Sequence, residues 1–366
     1  MNRGKKHKFF NLGFILRIPL IPFSLLYLAI VTTRNVLYDL GFFSSKTFSV
    51  PVICVGNLTT GGTGKTPHVE FLVNFLKSRF NLAVLSRGYL RKSKGFILSD
   101  MNSTVSEIGD EPKQMKMSYP DVVFAVDRDR AHGIEKLTNH NKANLVILDD
   151  GFQHRKVTPK ISIVLIDFNK PLFNDFILPL GNLREHKSGI SRAKVIIVSK
   201  CPPNINDEEK QFFIKKLKLK SEIRIFFSSF EYKGFVSLEN NANKVIPLHD
   251  FRQKFNNVVL VTGIANPNPL KEYLSDNFTI SSHLQYTDHY RFKAADLKIF
   301  MNKMKSSQEN QKVIVTTQKD AVRLLETLGM TDELRKMIYY IPISVYFPFE
   351  NEERDFQEFL LSLLSH

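Results

Sequence analysis

The sequence predicts an α/β fold built from two units, and three observations predict it. Short runs of Val, Ile and Leu recur without clean polar alternation, the pattern of parallel strands covered on both faces. Helical stretches with one apolar face fall between them, so strands and helices alternate as a layered α/β domain requires. At 366 residues the chain has the length for two ordinary domains.

In chain order, Arg3, Lys5, Lys6 and Lys8 precede an apolar stretch from Phe9 to Val31, interrupted by Arg17, Pro19 and Pro22. The pattern imitates a secretory signal, but no small-residue cleavage site follows. The run Ile18 to Val31 is shorter than the roughly 20 residues of a spanning helix. Basic residues flank it on both sides, Lys8 and Arg34, and such flanks favour the cytoplasmic face. Residues 1–40 are therefore expected to form a membrane-associated helix that lies on or dips into the inner leaflet. A helix buried in the protein's own core is the competing reading, and two prolines with an arginine disfavour it.

Residues 41–222 are expected to form the first domain. Ser49 to Val55 reads as a buried strand, and His68 to Arg79 carries Val69, Leu72, Val73 and Leu76 at helical spacing. Further strands are expected at Asn81 to Leu85, Val122 to Val126, Leu145 to Leu148, Ile161 to Ile166 and Val195 to Val198. From Ile223 the chain becomes rich in Phe and Tyr around a polar segment, Glu239 to Asn243, so 223–256 is expected to be a β-hairpin linker. Residues 257–366 are expected to form a C-terminal α/β domain, with strands at Val258 to Thr262 and Lys312 to Thr316 and helices at Ala294 to Lys305 and Ala321 to Leu328.

Composition narrows the function. The 51 Lys and Arg against 36 Asp and Glu leave a formal +15, which attracts polyanions: nucleic acid, an anionic membrane or a phosphorylated substrate. No aromatic-basic stretch of the RNA-binding kind is present, so nucleic acid is not expected as a partner. Cys54 and Cys201 form no CxxC or Cys/His cluster, which argues against a disulfide framework or structural zinc and suits a reducing cytoplasm.

The strongest chemical signal is Gly56-Asn-Leu-Thr-Thr-Gly-Gly-Thr-Gly-Lys-Thr66, which follows a strand and opens a helix. That is the setting of a P-loop, where backbone N–H groups and a helix N-terminus receive phosphate oxygens. Thr59, Thr60, Gly61, Gly62, Thr63, Gly64, Lys65 and Thr66 are accordingly expected to bind nucleotide, with Lys65 at the β/γ-phosphates and the Thr66 hydroxyl on Mg²⁺. The generic pattern has glycine where this chain has Thr59; Gly61 and Gly62 supply the flexibility. Asp149 and Asp150, at the end of an apolar strand, supply the metal-positioning carboxylates such a loop requires, with Asp167 as the competitor. The fold is thus expected to be a P-loop NTPase-type α/β/α sandwich with ATP and Mg²⁺ as cofactors. A membrane-associated P-loop NTPase switch is the alternative function, and the absence of an Asn-Lys-x-Asp guanine-reading motif counts against its GTPase form.

Seven segments in register, Gly56 to Pro67, Ser86-Arg-Gly-Tyr89, Gly109-Asp-Glu-Pro112, Asp149-Asp-Gly-Phe-Gln-His154, Leu178-Pro-Leu-Gly-Asn-Leu-Arg-Glu185, Asp288-His289 and Thr317-Gln-Lys-Asp320, resemble the tetraacyldisaccharide 4'-kinase family. The family's own loop also lacks the first glycine. The resemblance implies transfer of the γ-phosphoryl of ATP to the 4'-hydroxyl of tetraacyldisaccharide 1-phosphate, giving lipid IVA at the cytoplasmic face of the inner membrane. It implies two α/β/α domains, a short β linker, an N-terminal membrane helix and no obligate protein partner. It also implies that Asp110 is the catalytic carboxylate and His289 its partner, brought together from different domains. Glu185 is expected in the Mg²⁺ shell, Arg184 at phosphate oxygens and Arg87 near substrate or phosphates, with an exposed ion pair as the alternative for Arg184 and Glu185. Thr317 to Asp320 are expected near the nucleotide base.

Overall fold

The protein is described by a computed structural model covering residues 17–139, 142–239, 244–305 and 312–365. The basic residues Arg3, Lys5, Lys6 and Lys8, and residues 240–243 of the expected polar turn, lie outside the described residues.

Eight strands form the first sheet: β1 (Val52–Asn57), β2 (Leu82–Ser86), β3 (Ile97–Ser99), β4 (Val123–Val126), β5 (Leu145–Asp149), β6 (Ile161–Asp167), β7 (Val195–Ser199) and β8 (Arg224–Phe227). Their order is β3-β4-β2-β5-β1-β6-β7-β8, parallel except for β3. The central strands β1, β5, β6 and β7 are buried along their whole length, as Val/Ile/Leu runs without polar alternation require. Val55 and Ile147 belong to the core on one face, Cys54 and Leu148 to that on the other.

The chain then passes through β9 (Ser229–Tyr232), β10 (Phe235–Ser237) and β11 (Val245–Ile246) into β12 (Asn257–Thr262), β13 (Thr279–Gln285), β14 (Lys312–Thr317) and β15 (Ile338–Ile341), and returns by β16 (Ile343–Tyr346). The second sheet runs β11-β10-β15-β14-β12-β13, and β9 pairs antiparallel with β16 as a separate two-stranded ribbon. The expected hairpin is present in part, as β10 and β11 pair antiparallel on either side of the polar segment, but it does not span 223–256 as a separate linker. Strand β8 completes the first sheet, β10 and β11 extend the second, and the ribbon partner of β9 comes from 111 residues further on (Tyr232 with Ile343). Long-range pairing of this kind leaves no local turn signal to read.

Five helices position the site or close the sheets: α1 (Ile21–Asp39), α2 (Lys65–Leu76), α3 (Asp110–Ser118), α4 (Gln318–Leu325) and α5 (Glu352–Ser365). Helix α5 lies on the first sheet, not the second: Phe356 and Leu360 are buried beside Ile53, Val55 and Phe226. The C-terminal unit expected over 257–366 therefore loses its last stretch to the first sheet.

Helix α1 is longer than the apolar run read from the sequence. Pro19 falls in the 3₁₀ turn Ile18–Leu20 that leads into it and Pro22 in its first turn, where helical N–H groups have no partner to lose, so neither interrupts it. Continuous helical structure runs Ile18–Asp39, 22 residues, long and apolar enough to cross a membrane by length and composition. Phe23, Leu25, Leu26 and Ile30 are each at least 60% exposed, so the helix is not a core element.

Candidate active site

The site collects at the carboxyl ends of the parallel strands, where open α/β sheets bind ligands. Strand β1 ends in the loop Leu58 to Gly64, and α2 begins at Lys65. Gly64 has φ +84°, and a Cβ there would lie 2.3 Å from the ring of Phe230 on β9, so the position excludes any side chain. Gly61 and Gly62 are exposed with open space about them, which leaves their backbone accessible to an anion. Thr63 turns inward: its hydroxyl accepts from Asn57 and its carbonyl accepts from Ser199. Lys200 donates to the Gly62 carbonyl and, at 2.6 Å, to Asp167. Asp167, the competing metal carboxylate, is thereby committed to the far wall of the loop.

On the near wall, Thr60 N–H donates to Asn182 and Arg184 N–H to Leu58, which ties the Leu178 to Glu185 loop against the phosphate loop. Lys65 Nζ lies 3.8 Å from Asp150 and 3.5 Å from Asn57. Arg184 reaches Asp150 at 3.1 Å and Gln153 at 3.3 Å, so it is an ion pair as the structure stands. Asp150 is half-buried; burial raises its pKa, and the charges of Lys65 and Arg184 outweigh that and hold it below the ordinary value. Asp149 is buried, and burial together with the charges of Glu111 and Asp150 lifts it to about 7. Its Oδ1 has no hydrogen-bond partner.

That orphaned oxygen, next to Lys65 and Asp150 at the mouth of a phosphate loop, fits a Mg²⁺ that would take its remaining ligands from Thr66, water and phosphate. No group of three or more metal-binding side chains occurs among the described residues. Glu185 does not fit as readily. Both its oxygens accept from Arg192, at 2.8 and 3.0 Å, while Asn35 of α1 and Gln153 complete its shell. It would ligate a metal only by giving up one of these partners.

Asp110 opens α3 behind Gly109, whose φ of +91° turns the chain sharply into the helix. His289, 179 residues away, meets it at 2.8 Å from Nδ1 to Oδ2. His289 itself has φ +56°, an uncommon conformation for a residue with a side chain; its N–H donates to Asp288 and to the Gly263 carbonyl, which hold it there. Tyr89 of the Ser86 to Tyr89 segment lies against its ring, centroids 5.4 Å apart. Arg87 is exposed and pairs with nothing among the described residues.

Two cations complete this group: Lys319, from the Thr317 to Asp320 segment expected near the nucleotide base, and Arg323, which no sequence motif singles out. Lys319 Nζ is 3.0 Å from Glu111 and 4.0 Å from Asp110, and Arg323 Nε is 3.5 Å from Asp110. They stand four apart on α4, one helical turn, and that spacing was the available signal. Thr317 to Asp320 adjoin this cluster: Thr317 caps α4 and Asp320 accepts from Gly263 N–H. Burial raises the Asp110 pKa, but the His289 bond and the charges of Lys319, His289 and Arg323 together bring it below the usual carboxylate range. The arrangement can accept a proton at Asp110 while anions are held at the loop.

A profile of the tetraacyldisaccharide-1-P 4'-kinase family matches residues 16–365. The tetraacyldisaccharide 4'-kinase of Bacteroides thetaiotaomicron is 40% identical, over 93% of this chain and 92% of its own. That of Flavobacterium johnsoniae is also 40% identical, over 96% and 98%. Among solved structures, LpxK of Aquifex aeolicus in complex with ATP superposes with a TM-score of 0.74 at 27% identity, covering 95% of this chain and 99% of the other.

Proposed function

This chain belongs to the tetraacyldisaccharide 4'-kinase family, and from that premise we infer that it transfers the γ-phosphoryl of ATP to the 4'-hydroxyl of tetraacyldisaccharide 1-phosphate, forming lipid IVA. The substrate's four acyl chains keep it in a bilayer, so the enzyme works at a membrane surface, reached through the exposed apolar face of α1. A chain of this charge faces the anionic cytoplasmic leaflet.

One observation supports the assignment of roles: Asp110 and His289, distant in sequence, are hydrogen-bonded to each other at the end of the sheet that carries the phosphate loop. Phosphoryl transfer needs positioning, charge neutralisation and an acceptor for the hydroxyl proton. Residues Thr59 to Thr66 cradle the phosphates, and Lys65 meets the charge at the β/γ-bridge. Mg²⁺, held by Asp149, Asp150 and Thr66, would neutralise phosphate charge when bound. The sugar hydroxyl gives its proton to Asp110, its oxygen bonds the γ-phosphorus, and the bond to the β-phosphate oxygen breaks to release ADP. Arg87, exposed at the end of β2, is available to the substrate's phosphate.

The test is transfer of labelled γ-phosphate from ATP to tetraacyldisaccharide 1-phosphate in detergent micelles. The native chain transfers it; Asp110→Ala, lacking the base, falls by about 10²-fold or more, and Lys65→Ala loses transfer comparably. A folded native chain that binds ATP and transfers nothing would instead make it a P-loop NTPase switch.

A further inference from the structure

Helix α1 turns polar groups toward the protein and apolar groups away from it. Ser24, Tyr27, Arg34 and Asn35 recur at helical spacing on the less exposed face, while Phe23, Leu25, Leu26 and Ile30 lie on the exposed one. An element that only anchors the chain to a membrane needs the apolar face alone. Building on the kinase reading, in which Arg184 meets phosphate oxygens, we propose that α1 also braces the phosphate site. Ser24 and Tyr27 are its positioning residues, holding the loop Leu178 to Glu185 against the phosphate loop.

The polar face bonds to segments of the site along roughly three helical turns. Ser24, 3% exposed, accepts from the Leu180 N–H at 3.0 Å and donates to the Ile177 carbonyl at 3.4 Å. One turn further on, the Tyr27 hydroxyl donates to the Arg184 carbonyl at 2.9 Å. Toward the end of the helix, Arg34 donates to the Gln153 carbonyl, and Asn35 to Glu185 Oε2 at 3.0 Å.

Each segment held in this way continues directly into the site. The Arg184 N–H donates to the Leu58 carbonyl, and its guanidinium reaches Asp150. The Gln153 side chain donates to the carbonyl of Asn57, the last residue of β1. Residues 178–185 contain no helix or strand of their own, so their shape rests on α1 behind them and the phosphate loop in front. A misplacement of about 1 Å is enough to cost a transfer reaction heavily. Removing the Tyr27 hydroxyl frees the main chain at Arg184 itself and leaves the apolar face of α1 untouched. The element that meets the bilayer is thereby the one that fixes where Arg184 stands, and it brings a lipid-borne hydroxyl and the nucleotide phosphates into register.

The experiment compares the full-length native chain with Tyr27→Phe, Ser24→Ala and the double variant in detergent micelles. MgATP affinity is read by calorimetry, kcat and KM by transfer of labelled phosphate, and membrane binding by co-sedimentation with anionic vesicles. Tyr27→Phe is expected to weaken MgATP binding and to lower kcat by about fivefold each, and the double variant by about tenfold or more. KM for the lipid and vesicle binding are expected to stay native. Native MgATP affinity in the folded double variant overturns the proposal, as does a change confined to lipid KM and vesicle binding, which would make α1 an anchor alone. Tyr27→Phe keeps the ring and decides the matter by itself if the double variant does not fold. A native chain that binds ATP and transfers no phosphate counts against the kinase reading only, because calorimetry reads the brace without turnover.

Discussion

Asp149 shows how a single carboxyl links chemistry to stability. Its pKa is raised to about 7, first by burial and then by the charges of Glu111 and Asp150. A carboxyl whose folded pKa lies above its unfolded value, near 3.9, contributes stability that is complete below that value. The contribution fades as pH rises through about 7, where the folded chain must ionise a buried group. Asp149→Asn cannot ionise, so thermal unfolding is expected at a higher temperature than native at pH 8, with the gap closing toward pH 5. The same variant is expected to lose Mg²⁺-dependent phosphate transfer, which separates the two contributions. At this scale the sequence disclosed the loop residues, Asp149 and Asp150 through short local motifs, and paired Asp110 with His289 only through family resemblance. The place of Lys319 and Arg323 beside Asp110 was hidden because it depends on contact between helices about 200 residues apart, as Gln318 and Ser118 are. Glu185 was read as a metal ligand because its partner Arg192 and Asn35 of α1 are not part of its motif.

Among the elements, α2 and α5 carry the most direct tests. Gly64→Ala puts a Cβ against the Phe230 ring at a positive φ, so ATP affinity measured by calorimetry is expected to fall by about tenfold or more; each 1.4 kcal/mol of strain is one decade. Phe356, 1% exposed, is packed by Phe226, Phe347 and Phe71. Phe356→Ala is expected to cost about 3–5 kcal/mol in denaturant unfolding, and to weaken the first sheet rather than the second. Strands β1, β2, β4 to β7, β12 and β14 were legible as apolar runs because burial on both faces leaves that signature, whereas β3, β13 and β15 were not read; β13 is nowhere fully buried. The helix starts were less so: α2 begins three residues before the expected start at His68, because phosphate-loop geometry sets its first turn. The ribbon of β9 and β16 was illegible, since each strand is four residues long and its partner is remote.

For the molecule as a whole, the exposed apolar face of α1 and the net +15 charge are the two features that the proposed membrane surface would meet. Replacing Leu25, Leu26 and Ile30 by Ser is expected to reduce co-sedimentation with anionic vesicles, and the binding that remains is expected to disappear at high salt, where charge attraction is screened. Two passages of chain join the sheets, out through β9 and back through β16, and they run side by side: Lys233 N–H donates to Pro342 at 3.2 Å. Everything between those two residues leaves and re-enters at one point. The second sheet, with His289 and Lys319, is therefore topologically an insert in a phosphate-loop protein whose own sheet is finished by α5. Cutting the chain at Lys233 and Pro342 and closing the gap with a tight turn would leave the first sheet with all eight strands. The second sheet, and with it His289, thus hangs from the first by one double-stranded stalk.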